Sequence, residues 1–588
     1  MSSPPEFEVE VLVVGSGPMG GAAALALATY GVRVHSVTRT NWLADTPRAH
    51  ITNQRTVEVL RDLGIEEEAA LYATPWDQMG GFTFMTSLAG TELLRAPVTG
   101  RREDRLGDYI EGSPCPYMDL PQVYLEPLLL KNAAARGASV AFNTEYVSHR
   151  QDADGVTVEL KDRLSGRLYS ARAKFLIGAD GARSRIVEDL GLKLEGELGR
   201  AATAYVRFKA DLSKYIAHRP GIISWIVTPT ASYGELGVGL LRVVRPWHTW
   251  IAGWGYDIST EPDLSERTVT DKIRQFVGDP NLDLKIEGTS TWLVNQAYAS
   301  SYSSGRVFCG GDAVHRHPPS NGLGSNTSIQ DAFNLAWKLA FVLKGHAAPS
   351  LLETYSVERA PIGKKVVLRA NQSRRDYAAF NDVFRTEGAA DAVSGVVNKL
   401  RDTGPDGVAA RQALMEAVDF KQTELNCQGV DMNQRYASSA ILPAPGTEEE
   451  QWSRDPEVYL QATTRPGAKV PHAWLVDERG LQISTLDVVG KGKFTLVTGL
   501  AGQAWVEAAR ELDLPFMRTV VVGEPGAADP SFEWARVREI HEAGALLIRP
   551  DGFVAWRQME PVWDRSKAIQ QVRQAINALL GTTSRERA

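Results

Sequence analysis

Cysteine is scarce in this sequence. The 588 residues include three, Cys115, Cys309 and Cys427, far apart and forming no CxxC, so neither a disulfide framework nor a cysteine-rich zinc site is encoded. A reducing, cytoplasmic setting is expected. No run of about 18 apolar residues occurs, and residues 1–8 have neither the basic nor the apolar part of a signal peptide, so no membrane association is expected. Excess positive charge is missing too. The 64 Lys+Arg against 71 Asp+Glu leave a formal charge of -7 with the signs interspersed, which gives no long-range attraction for phosphate backbones, and nucleic acid is not an expected partner. Internal repeats and low-complexity stretches are absent. What remains is 43% hydrophobic and 23% charged, an ordinary globular composition, with length for about three to five compact units.

The chain opens on an apolar strand, Val9 to Val14, then Gly15-Ser16-Gly17-Pro18-Met19-Gly20 and an alanine-rich helix ending near Gly31. Strand, glycine loop and helix come in the order a dinucleotide fold needs. A second strand, about Val32 to Val37, leads to Pro47-Arg48-Ala49-His50 and to a helix over roughly Asn53–Leu63 that Gly64 can end. Another helix should begin near Pro121 and end near Gly137, with a kink or break possible at Pro127. From about Ala201 to Gln296 the pattern changes to short aromatic runs, Gly221–Thr228, Gly237–Val244 and His248–Gly255, as for a β-rich domain inserted in the α/β framework. Val307-Phe308-Cys309 restores the buried-strand pattern, and Ile329, Phe333, Ala336, Leu339 and Leu343 make one stripe of a helix over about Asn326–Lys344. Residues 376–425 read as helical with a turn at Asp402–Gly407. Beyond Asn426, strands at Phe494–Thr498, Thr519–Gly523, Ala545–Ile548 and Phe553–Arg557 alternate with helices, closing at about Ser566–Leu580.

The spacing Gly15, Gly17, Gly20 supplies a tight turn, close backbone approach to a pyrophosphate and close packing of helix on strand, with the helix N-terminus adding unpaired N–H groups. The acidic residue expected about 20 positions on, to hold a ribose, is missing. Thr38 and Arg39 stand there, so a hydroxyl, an arginine or backbone must do that work. Two further motifs exceed the needs of a plain dehydrogenase: Gly178-Ala179-Asp180-Gly181 after the strand Lys174–Ile177, and Gly310-Gly311-Asp312 running on to Gly322-Leu323-Gly324-Ser325-Asn326. A carboxylate at a strand end can hold a polyol hydroxyl, and a glycine-relaxed helix start can face a developing anion. A ribityl chain ending in a flavin needs both.

At these residues the sequence resembles the aromatic-ring hydroxylases, the single-component flavoprotein phenol monooxygenases. The similarity covers most of the chain. Within the family, residues 47–55, 117–122 and 245–247 are most like members acting on biaryl and chlorinated phenols. The resemblance implies an α/β protein: a Rossmann-like FAD-binding domain over 1–375 with an inserted β-rich substrate domain (about 86–119 and 191–299), a helical connector over 376–425, and a thioredoxin-like domain over 426–588. Without a CxxC this last domain cannot run dithiol chemistry and is read as structural. The resemblance also implies FAD, NADH or NADPH as transient reductant without a second Rossmann unit, and ortho-hydroxylation of a hydrophobic phenol by O2 through a flavin C4a-hydroperoxide. The expected assembly is a homodimer or higher homo-oligomer.

Carried over by motif, Gly15, Gly17 and Gly20 lie on the pyrophosphate, Arg48 and Gln122 along the FAD, Asp312 on the ribityl or pyrophosphate region, and Gly322, Leu323, Gly324 and Asn326 at the pyrimidine edge of the flavin, with Asp180 also expected to bind the cofactor. His50 stands where phenol hydroxylases of the family carry an active-site acid, and Asp119 just before a helix. Either could take or relay the proton of a phenol, or His50 could be a core histidine and Asp119 a support for the helix start. Arg242, among apolar strand neighbours, either meets an anion inside or faces outward. Trp225 and Trp292 either wall the substrate, with Pro319, or pack a core. His315 and His317 lack the neighbours of a metal site, and no metal is expected. The competing readings are another flavin oxidoreductase of the same fold and a non-catalytic nucleotide-binding interaction protein. The WxWxIP of tryptophan halogenases is absent.

Overall fold

The computed structural model describes residues 5–97, 99–100, 102–228, 238–384, 392–443 and 448–582. Gly237, the expected start of one substrate-domain strand, lies outside the described residues.

The first strand, Phe7–Val14, pairs in parallel with Val34–Val37 on one side and with Leu168–Gly178 on the other, and Val307–Cys309 adds in parallel beyond the latter. Ser139–Ala141 completes the far edge, while the hairpin Thr144–Gln151 and Val156–Asp162 hangs antiparallel from Leu168–Gly178. The central strands are buried on both faces, which is why their sequences run apolar without alternation. On this sheet lie the helices Pro18–Thr29, Gln122–Ala135 and Gly324–Leu343, with the first packed against both others.

A second eight-stranded sheet runs His315–Arg316, Lys285–Ala299, Leu194–Lys209, Thr249–Tyr256, Val238–Arg245, Gly221–Val227, Gly81–Met85 and Glu92–Pro97. It starts at Gly81, ahead of the expected residue 86: Gly81–Met85 pairs in parallel with Gly221–Val227 through backbone bonds that leave no periodicity signal across so long a gap. Met118–Asp119, placed by sequence in the inserted domain, pairs instead with Ile51–Thr52 in a small two-stranded ribbon. Pro127 does not break its helix, which runs unbroken from Gln122 to Ala135. Asn53 sits one residue before the helix Gln54–Asp62 as its cap, its Oδ1 accepting from the Thr56 N–H at 3.0 Å.

After the connector helices Ala392–Arg401 and Pro405–Phe420, a third sheet has the order Met517–Val522, Phe494–Gly499, Ala545–Ile548, Val554–Gln558. Its first two strands are parallel and the rest antiparallel, with helices Gln503–Leu512 and Arg565–Leu580 alongside. Buried charge joins this unit to the first. Arg549 donates to Glu358 at 2.6 and 2.9 Å, and Lys338 Nζ lies 2.8 Å from the same carboxylate.

Candidate active site

The register places Val14 beside Gly178 and Gly178 beside Cys309. Three loops, Gly15–Gly20, Ala179–Asp180 and Gly310–Asp312, therefore leave the carboxyl ends of three adjacent parallel strands and open on one crevice, the place where such sheets bind ligands. Gly15 has φ +109°, and a Cβ there would sit 2.1 Å from the Ala179 carbonyl oxygen; one on Gly20 would sit 1.9 Å from the Gly15 oxygen. These two glycines serve the packing of loop, strand and helix. Gly17 differs, since the nearest atom to its absent Cβ is Glu126 Oε1 at 3.8 Å. That space is open, as close approach of a ligand to the backbone requires. Gly310 and Gly311 fit against Met19 of the first helix, which brings Asp312, itself exposed, beside the glycine loop.

The other residues expected at the cofactor have these surroundings. The Gln122 N–H donates to the Ala49 carbonyl at 2.7 Å, holding the segment that carries the exposed Arg48 to the start of the helix Gln122–Ala135. Thr38 is buried at the end of its strand with its hydroxyl 3.1 Å from that of Thr40, and Arg39 is exposed. Asp180 Oδ2 accepts from the Arg185 and Ile186 N–H groups at 2.9 and 3.4 Å, while Oδ1 is buried without a partner. Gly322 has φ +65° and fits against Ile51; Leu323 is buried, and Asn326 Nδ2 donates to the carbonyls of Gly322 and Ile51 at 2.6 and 2.8 Å. The helices Pro18–Thr29 and Gly324–Leu343 both begin without a side-chain cap, leaving N–H groups to a ligand. Open space at Gly17, uncapped helix starts and the orphaned Asp180 oxygen all fit FAD.

His50, Asp119 and Arg242 come together although they lie far apart in the chain. The small ribbon sets Ile51 opposite Asp119, and Arg242 reaches in from the second sheet to donate from Nη2 to Asp119 Oδ1 at 2.6 Å. The other carboxylate oxygen accepts from Thr74 Oγ1 at 2.9 Å. His50 Nδ1 lies 3.5 Å from Asp119 Oδ1, and Nε2 is 2.9 Å from the Pro47 carbonyl, an acceptor only, so Nε2 carries the hydrogen and Nδ1 is the basic nitrogen. Burial works to raise the Asp119 pKa, but Arg242, His50 and Thr74 outweigh it and hold the carboxyl down at about 2. Burial, and then the charge of Arg242, push the His50 imidazole below its ordinary value against the pull of Asp119. Arg242 thus faces inward, and its anion is a carboxylate of the chain.

Trp225 and Trp292 belong to one aromatic cluster between the second sheet and the helical segment packed on it. Trp225 is 7% exposed, with ring centroids 6.3 Å from Phe84 and 5.5 Å from Tyr377, while Trp292 lies 5.8 Å from Tyr205. Pro319 is exposed on the loop before Gly322. Among the described residues no group of three His, Cys, Asp or Glu side chains is placed to hold a metal. His315 instead pairs through Nε2 with Asp331 at 2.8 Å, and Asp331 also takes Arg359 at 2.7 Å and the Gly311 N–H at 3.1 Å. This buried support of the Gly311–Asp312 turn escaped the sequence reading, as did Thr74 and Glu126. Their partners are too far away along the chain to form a spaced motif.

A parallel sheet with three glycine-bearing loops at its carboxyl edge, beside a second sheet whose Arg242 pairs with the buried Asp119, is the architecture of a dinucleotide-dependent oxidoreductase. Comparison with known proteins makes this specific. Residues 8–370 match the FAD binding domain family and residues 463–583 match the aromatic-ring hydroxylase C-terminal family. The chain is 50% identical over 559 residues to a 2,4-dichlorophenol 6-monooxygenase of Cupriavidus pinatubonensis, covering 94% of this chain and 93% of the relative. It is 44% identical to a phenol 2-monooxygenase of a Pseudomonas strain, covering 96% and 92%. The crystal structure of the flavin-dependent monooxygenase PieE, in complex with FAD and substrate, superposes with a TM-score of 0.93 at 40% identity, covering 99% of this chain and 100% of that one. The chain belongs to the FAD-dependent aromatic-ring hydroxylases. No helix among its described residues is long and apolar enough to cross a membrane.

Proposed function

We propose that this protein uses NAD(P)H and O2, with FAD as cofactor, to hydroxylate a hydrophobic phenol at the carbon beside its hydroxyl, giving a catechol. The observation that carries the reading is the buried group His50, Asp119 and Arg242, one residue from the Ile51 that packs on Gly322. FAD, when bound, supplies the uptake of reducing equivalents from the nicotinamide and the activation of O2. The chain supplies the remainder. Phenols ionise near pH 10, and the ring attacks an electrophilic oxygen far better as phenolate, so a base must take the proton at neutral pH. Asp119 is too weak a base, with both oxygens accepting hydrogen bonds and its pKa at about 2. His50 accepts the proton at Nδ1, and the Asp119 carboxylate steadies the imidazolium that results. Arg242 lowers the Asp119 pKa and neutralises its charge.

Phe84, Trp225 and Trp292 of the second sheet share an apolar aromatic cluster with Tyr377 and Phe380 of the segment packed on it, and surroundings of that kind suit a substituted phenol, a biaryl phenol or a naphthol. The names of the phenol and dichlorophenol relatives support the smaller end of that range. Within the same reading, residues 426–588 are thioredoxin-like and structural, supported by the strand order with its first pair parallel, and the enzyme works in the cytoplasm as a homodimer or larger homo-oligomer, which light scattering would measure. The three free, buried cysteines accord with a reducing setting.

The test is His50→Ala, assayed for NAD(P)H consumed against catechol formed across phenols of graded acidity. Hydroxylation of a weakly acidic phenol should fall about 10²–10⁴-fold while flavin reduction persists, and the loss should shrink as the phenol becomes more acidic. An equal loss for every phenol would remove His50 as the base.

A further inference from the structure

The segment Glu424–Gln434, leading out of the connector, lies along the back of the loop Ser320–Asn326. The Asn321 N–H donates to Glu424 Oε1 at 3.3 Å, and Asn321 Nδ2 lies 3.3 Å from the Glu424 carbonyl and 3.4 Å from Cys427 Sγ. Cys427 and Val430 pack with Leu323. Asp431, 3% exposed, reaches the loop through an intermediary. Its Oδ1 accepts from Asn53 Nδ2 at 2.7 Å and its Oδ2 from Tyr117 Oη. The Asn53 N–H donates to Asn326 Oδ1 at 3.0 Å, and Asn326 Nδ2 in turn holds the carbonyls of Gly322 and Ile51. Asn53 has already committed its own Oδ1 to the Thr56 N–H, so the orientation of its amide is fixed and its NH2 must find an acceptor.

We propose that Asp431 is a positioning residue for the cofactor-facing loop Gly322–Asn326, its carboxylate anchoring a chain of bonds through Asn53 and Asn326 to Gly322. This rests on the reading that Gly322, Leu323, Gly324 and Asn326 face FAD. Among the described residues no ion pair reaches Asp431. The titratable groups around it are Tyr117, Tyr109 and Cys427, and burial pushes each above its ordinary value, so all three are neutral near pH 7. With no cation to offset it, burial carries Asp431 up to about 7 against the hydrogen bonds from Tyr117 and Asn53. Protonation on Oδ2 turns that oxygen from acceptor to donor toward Tyr117, whose own hydroxyl hydrogen then needs another acceptor, and leaves Oδ1 a neutral carbonyl that holds Asn53 more weakly than the carboxylate does. The brace is therefore engaged above neutrality and slackens below it.

The FAD-loaded protein, without substrate or reductant, is titrated from about pH 5.5 to about pH 8.5 while its flavin spectrum and fluorescence are recorded. The expected result is an inflection near neutrality in the wild type and none in Asp431→Asn. In Tyr117→Phe it should move to higher pH, because the lost hydroxyl stabilised the charged form. Asp431→Asn should also bind FAD about tenfold more weakly with unchanged far-UV circular dichroism. Should Asp431→Asn fail to fold, Tyr117→Phe, which keeps the ring against Tyr109, still decides. A flat wild-type titration, or an inflection that Tyr117→Phe leaves in place, overturns the role of Asp431. A wild-type protein that takes up no FAD overturns the cofactor reading itself and this inference with it.

Discussion

Replacing Arg242 by Met tests the electrostatics of the site most directly. Asp119 is 0% exposed, and among the described residues Arg242 is its one cation within a hydrogen bond, at 2.6 Å. The fall of its pKa from the ordinary 3.8 to about 2 corresponds to ~2 kcal/mol of native stability at neutral pH. A depressed carboxyl contributes that stability above pH ~4 and loses it as pH falls through about 2, so the contribution is fully present at pH 7. Met adds an unpaired buried carboxylate to the loss, and removing one partner of a buried pair costs about 3–5 kcal/mol. Urea unfolding of wild type, Arg242→Met, Asp119→Asn and the double variant gives the coupling as a mutant cycle. The double variant should recover much of the loss, because no charge is then left unpaired. The same substitution has a kinetic signature. Arg242 holds the His50 pKa down, and without it Asp119 pulls that pKa up, so the acid limb of kcat/KM should shift to higher pH. A cost under ~1 kcal/mol, or an acid limb that stays in place, would refute the reasoning.

Two further outcomes follow from the packing. Gly17→Ala should leave the apoprotein's melting temperature unchanged, since the nearest atom to the added Cβ is 3.8 Å away, yet weaken FAD binding at least about tenfold by filling the space the pyrophosphate needs; Gly15→Ala, which meets the Ala179 oxygen at 2.1 Å, should instead disturb the fold, as calorimetry on both variants would show. Glu358→Gln should cost about 3–5 kcal/mol in urea unfolding, because it strips the buried Lys338 and Arg549 of a shared carboxylate, and a loss below ~1 kcal/mol would mean that this contact does not hold the C-terminal unit to the first domain.

What could be read along the chain was what local physics writes there. A glycine at φ +109° against a carbonyl leaves a glycine in the sequence, a buried parallel strand leaves an apolar run, and a helix on a core leaves the stripe Ile329, Phe333, Ala336. His50, Asp119 and Arg242 were visible singly, as polar groups in places that needed a reason. Their union was not, because Arg242 and Asp119 are 123 positions apart and meet only when the second sheet and the small ribbon come together in the folded chain. The membership of Gly81–Met85 in that sheet, the support of Gly311 by Asp331, and the reach of Asp431 to Asn53 over 378 positions were invisible for the same reason. A carboxylate's neighbours in the folded chain decide whether it is a weakly basic anchor at about 2 or a titrating brace at about 7, and only tertiary structure chooses those neighbours.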